Sequence, residues 1–185
     1  LHVKERIGLL DEWKVDPDEA EAVNNCDEHR QVAREMSRRS VVMLKNDNSR
    51  LPLAKDVKKI AVIGPNADSP EIGDYSWDLH PEGYVVTTLQ GMRKLAPEGV
   101  EIKYHKGCEL SDPKGADLAG AADVARECDV AVLVLGSGIK VAGEARDRQN
   151  LDLPGQQKFL LQFILETGKP VIVVLVTGGV HTMLP

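Results

Sequence analysis

Asp129-Val-Ala-Val-Leu-Val-Leu135, continued by Gly136-Ser-Gly-Ile-Lys-Val-Ala-Gly-Glu-Ala-Arg-Asp-Arg-Gln-Asn-Leu-Asp-Leu-Pro-Gly155, is the stretch on which the reading of this chain turns. Its first part is an apolar run of strand length. Beyond Gly155, Phe159, Leu160, Phe163 and Ile164 fall at helical spacing, so a buried strand, a long polar loop and a helix follow one another. In open α/β sheets, loops leaving the carboxyl ends of strands are where ligands meet the protein. Glu144 stands in this loop between Gly143 and Ala145, where little side-chain bulk hides a carboxylate. By spacing alone, Glu144, Arg146, Asp147 and Arg148 fit equally well a solvated loop pinned by exposed ion pairs, each of small worth.

The same alternation extends outward. Lys59 to Gly64 is apolar like a strand covered on both faces, Val100 to Tyr104 alternates like a half-buried one, and Val171 to Val176 is a further buried strand. Between them, Thr87 to Leu95 reads as a short helix. Gly115 to Cys128 reads as another, with Leu118, Ala121, Ala122 and Ala125 making a small-residue face able to approach a sheet closely. Upstream, Glu28 to Leu44 has an apolar stripe through Val32, Met36, Met43 and Leu44, which predicts an amphipathic helix against a core. Residues 1–28 contain an acidic, polar passage and read as the end of a preceding domain and its linker. The expected fold is α/β, a mostly parallel sheet sandwiched between helices, spanning residues 29–185.

Composition narrows the function. The 185 residues are 42% hydrophobic and 28% charged, ordinary for a globular protein, and the formal net charge of -6 comes without a Lys/Arg block. The attraction to phosphate that dominates nucleic-acid binding is missing, so no nucleic-acid partner is expected. The longest apolar run, Val171 to Val176, has the length of a strand rather than of a membrane span, and no membrane partner is expected. Cys26, Cys108 and Cys128 are widely spaced, with no CxxC and no His at metal-ligand spacing, and read as packed thiols rather than metal ligands. Gly64-Pro65-Asn66-Ala67 lacks the remaining glycines of a dinucleotide fingerprint. No metal and no cofactor are expected. The chain starts at Leu1-His2-Val3 and stops just after a strand-like run, and reads as a piece of a longer polypeptide whose α/β domain is truncated at its C-terminal side.

Several motifs together resemble a known family. Ala33 to Asn46, Leu51-Pro-Leu53, Ile60 to Ala67, Gly73-Asp-Tyr-Ser76, Gly143-Glu-Ala-Arg-Asp-Arg148 and Leu151-Asp-Leu-Pro-Gly-Gln156 are similar, in order and spacing, to the second domain of family 3 glycoside hydrolases, in the β-glucosidase and β-xylosidase branch. The resemblance implies a retaining, exo-acting β-glycosidase that removes terminal glucose or xylose. In it, a TIM-like barrel precedes the α/β domain and supplies an aspartate nucleophile. By match to the family's loop, Glu144 takes the position of the general acid/base. Asp147 and Arg148 then read as loop anchors, with Arg146 and Arg148 expected to point away from Glu144, toward Asp147, Asp152 or the partner domain. Tyr75 and Trp77, on the loop after the first strand, are candidate platforms for a sugar ring, although aromatics there also serve as caps on a core edge. The resemblance further implies a secreted or periplasmic parent, and a separated domain that is inactive for want of the second carboxyl group. The other function class is a noncatalytic α/β domain whose Gly64 and Gly136 loops cradle an anion or nucleotide.

Overall fold

The computed structural model describes all residues except 12–15, 74, 76–83 and 184–185. The chain divides into two compact units, Leu1–Pro52 and Leu53–Pro185. The first contains α1 (His2–Arg6), α2 (Pro17–Val23) and α3 (Asp27–Ser40). The Asp16 carboxylate caps α2 by accepting from the amides of Asp18 and Glu19. α3 ends four residues earlier than its apolar stripe predicts, with Val41 already extended, because the β-branched pair Val41-Val42 loses side-chain freedom in a helix. The expected burial of this helix is not met: none of its residues is buried, and Val32 and Met36 are exposed.

The second unit carries β1 (Lys59–Ile63), α4 (Thr88–Leu95), β2 (Glu101–His105), α5 (Leu118–Arg126), β3 (Val130–Gly136), α6 (Gln157–Leu165) and β4 (Val171–Val176). The four strands form one sheet in the order β2-β1-β3-β4. Every neighbouring pair is parallel: Ile60 lies opposite Ile102 and Val130, and Leu133 lies opposite Val173. Strand alternation explains why β1 and β3 are apolar at nearly every position. Ala61, Ile63, Ala131, Leu133 and Leu135 face α5 and α6, while Ile60, Val62, Val130, Val132 and Val134 face α4. Helices therefore cover both faces, as the α/β alternation predicts.

Each helix has a local reason. Thr87 and Gln90 form a reciprocal capping box at the start of α4. Asp117 caps α5, and the fully covered Ala121, Ala122 and Ala125 let that helix approach the sheet closely. On α6 the buried stripe is Gln157, Leu160 and Ile164, with Phe159 and Phe163 exposed or half-exposed at its margins. Positions i, i+3 and i+7 face the sheet, and the aromatics fall one residue to the side. Burying Leu160 and Ile164 fully is worth about 1.5–3 kcal/mol each.

Two glycines set where the chain leaves the sheet. Gly64 has φ +126° and Gly136 has φ +143°. A Cβ on either would lie 2.1 Å from the Val134 carbonyl oxygen or 1.9 Å from that of Val176, respectively. No side chain fits, so β1 and β3 end by turning tightly against their neighbours.

Candidate active site

The sheet order creates the site. From β1 the chain goes to β2 on one side, while β3 lies on the other. The loop after β1 runs to α4 on one face and the loop after β3 runs to α6 on the opposite face. Two loops that part in this way leave a crevice at the carboxyl ends of the central strands, where open α/β sheets hold ligands.

The base of the longer loop, residues 137–156, is closed by Gln157. Its side-chain amide is fully buried, donates 2.8 Å to the carbonyl of Gly136 and 2.9 Å to that of Leu110, and accepts 2.8 Å from the Gly136 amide. The side chain thus stands in for a strand where β3 ends. The sequence reading missed this residue. Its signal was a lone amide on the apolar stripe of α6, three and seven residues before Leu160 and Ile164.

At the tip, Gly143 to Arg146 forms a tight turn closed by the Arg146 amide donating 3.2 Å to the Gly143 carbonyl. Glu144 occupies the second position and is exposed; Ala145 occupies the third with φ +60°, a conformation that a residue with a Cβ adopts at a cost. Arg146 donates 2.8 Å to the carbonyl of Ile139, across the loop. Arg148 reaches a different segment, donating 3.2 Å to the Val180 carbonyl and standing 2.9 Å from Nδ1 of His181. A guanidinium only donates, so Nδ1 is the acceptor in that pair. His181 is buried, and next to it Thr182 donates through its amide to the Leu151 carbonyl at 2.8 Å and through its hydroxyl to Asp152. The returning half of the loop is therefore laced to the segment after β4. Among the described residues, these bonds of the two arginines go to backbone carbonyls and to His181 rather than to Asp147 or Asp152. Asp147 lines an open cleft of about 710 Å³ together with Lys140, Arg146, Arg148, Asn150 and Asp152. Such a polar, charge-lined wall suits a hydroxyl-rich ligand or a polar protein surface better than an apolar one.

The loop after β1 meets the Glu144 loop along its length. The amide of buried Asn66 donates 3.3 Å to the Val134 carbonyl, and its side chain donates 3.2 Å to the Ser137 carbonyl and 3.3 Å to Glu71. The Glu71 carboxylate also accepts 2.9 Å from Ser69 and packs against Gly138, where a Cβ would come within 2.5 Å of it. Farther out, the Tyr75 hydroxyl donates to Oε2 of Glu144. The structure thus brings together Glu144 and Tyr75, two of the residues singled out from sequence. Trp77 lies outside the described residues.

Among the described residues, no group of three or more His, Cys, Asp or Glu is arranged to hold a metal ion. No helix among them is long and apolar enough to cross a membrane. Burial pushes the Cys108 thiol up to about 11, which keeps it protonated and unreactive at neutral pH.

A parallel sheet covered on both faces by helices, with long loops at the strands' carboxyl ends, defines an α/β domain. The family can be stated: residues 41–185 match the glycosyl hydrolase family 3 C-terminal domain, and the chain belongs to that family. A β-xylosidase of Formosa agariphila is 42% identical over 96% of this chain, which spans 25% of that relative. A periplasmic β-glucosidase of Salmonella typhimurium is 34% identical over 96% of the chain and 26% of its own length. Among solved structures, a β-glucosidase from Erythrobacter marinus superposes with a TM-score of 0.79 at 33% identity, covering 92% of this chain and 26% of that one. The chain thus spans about a quarter of these relatives. Membership in this family does not favour the noncatalytic ligand- or nucleotide-binding alternative.

Proposed function

We propose that this chain is the acid/base-bearing domain of a retaining, exo-acting β-glycosidase, and that Glu144 is the general acid/base. The observation that carries the reading is the position of Glu144: an exposed carboxylate on a tight turn beyond the carboxyl end of β3, in the family's loop motif. In this reading residues 1–28 are the end of a preceding barrel domain and its linker, and residues 29–185 belong to the α/β domain, whose compact part begins at Leu53. The substrate is a β-glucoside or β-xyloside, the two classes in the names of the relatives. A secreted or periplasmic location is supported by the relative named as periplasmic.

The chemistry needs two carboxyl groups about 5–5.5 Å apart. A carboxylate of the barrel attacks the anomeric carbon while Glu144 gives its proton to the departing oxygen. A water then attacks the glycosyl-enzyme, and Glu144 takes the proton back. Arg146 donates to the Ile139 carbonyl, and Arg148 to the Val180 carbonyl and to His181.

The test is Glu144→Gln in the full-length polypeptide. Loss of a general acid is expected to slow alkyl β-glycosides and disaccharides by about 10²- to 10⁴-fold. The first step with a dinitrophenyl glycoside, whose leaving group departs unassisted, is expected to survive. Azide, which needs no base, is expected to restore turnover and to give a β-glycosyl azide. Equal slowing for every leaving group, with no azide product, would remove Glu144 from this role.

A further inference from the structure

The Tyr75 hydroxyl is joined to Glu144 Oε2 across a sequence separation of 69 residues, so two independent loops meet at the carboxylate. We propose that Tyr75 is a positioning residue for Glu144: it orients the carboxyl group for proton transfer and is not a platform for the sugar ring. The proposal rests on the reading of Glu144 as the acid/base.

Three features of the molecule carry it. First, the backbone on which Glu144 sits fixes its origin but not its side chain, because the turn ends in a single amide-to-carbonyl bond and a glutamate has three rotatable bonds beyond it. Something outside the turn must set the carboxyl plane. Second, the start of the loop that carries Tyr75 is anchored where it leaves β1. Asn66 is 1% exposed and ties that loop to the Val134 and Ser137 carbonyls on either side of Gly136, while Glu71 fills the space beside Gly138. The first residues of both loops are thus braced against each other before Tyr75 and Glu144 meet. Third, the direction of the bond suits the chemistry. A phenol that donates to Oε2 makes that oxygen the poorer seat for the acid's own proton, so the proton to be transferred sits on Oε1. In the second half of the reaction, the same donor steadies the carboxylate as it takes a proton from water through Oε1. A sugar platform would instead offer its ring face to the ligand and need no hydroxyl.

The hydroxyl is therefore the part to remove. In the full-length polypeptide, Tyr75→Phe is expected to lower kcat/KM about 10-fold for an alkyl β-glycoside, a fraction of the loss expected for the acid itself. The change for a dinitrophenyl glycoside is expected to be under about 2-fold, because that leaving group needs no proton. Placed on Glu144→Gln, the same substitution is expected to add almost nothing, since residues acting through one another are not additive. Tyr75 is 83% exposed, so its hydroxyl is no part of a core and the thermal midpoint is expected to stay unchanged. Losses equal for all leaving groups, or a full further loss on the Glu144→Gln background, would show that Tyr75 contacts the sugar or the fold and would overturn the proposal. If Glu144→Gln shows the acid/base signature while Tyr75→Phe is without effect, the positioning role alone is lost. If Glu144→Gln shows no signature, both readings fall together.

Discussion

The loop between β3 and α6 is built on opposite plans at its two extremes. At the base, Gly136 and Gln157 exchange two hydrogen bonds, Gln157 is fully buried, and a third bond ties it to Leu110. At the tip, Glu144 rides on a turn closed by one backbone bond, beside an alanine in left-handed backbone. The base is held by one buried side chain, and the tip by contacts reaching across the loop and to another loop. The base fixes the origin of the loop, and at the tip a side chain from a second loop, Tyr75, meets the carboxylate.

Damage to the base is expected to have the largest effect on stability. Gly136→Ala puts a Cβ 1.9 Å from the Val176 carbonyl oxygen and asks alanine to adopt φ +143°. Together these are expected to cost about 3–5 kcal/mol in chemical denaturation, by forced separation of β3 from β4 and by backbone strain. An effect below about 1 kcal/mol would mean that the exit from β3 is not built this way.

Gln157→Leu keeps the approximate volume but strands the Gly136 amide and the Gly136 and Leu110 carbonyls. Unsatisfied buried groups of this kind are expected to cost about 2–4 kcal/mol. Hydrogen exchange is expected to rise at Gly136 and through the loop while the core of β1 stays protected. Uniform loss of protection would show that the base and the tip are one unit.

The smallest effect is expected at the tip. Ala145→Gly relieves the left-handed strain, worth about 1 kcal/mol, but also loosens the unfolded chain, and the two nearly cancel. The denaturation midpoint is expected to move little, and amide exchange to rise only at residues 143–146. A drop of more than about 1 kcal/mol would mean that Ala145 does not sit at φ +60°.

How far the sequence carried the reading differs by element. β4 is found where its apolar run stands, and β1, β2 and β3 shift by no more than a residue at each end, because unbroken apolar runs mark β1, β3 and β4 and alternation marks β2. The parallel pairing also followed from alternation of helix and strand. The apolar stripes of α3 and α6 say less. Both are clear, but a stripe shows only that a face could be covered. It did not separate the buried Leu160 and Ile164 from the exposed Phe159 and Phe163.

The sequence by itself determined the α/β class, the family motif and the place of Glu144 between Gly143 and Ala145, because these depend on local spacing and residue type. Only the tertiary structure decided that Gln157 closes the loop on Gly136, that Arg148 goes to Val180 and His181 rather than to an aspartate, and that Tyr75 reaches Glu144. Those partners lie 21 to 69 residues apart and on different elements. No periodicity encodes such a contact; it exists only once the sheet order has set which loops stand side by side.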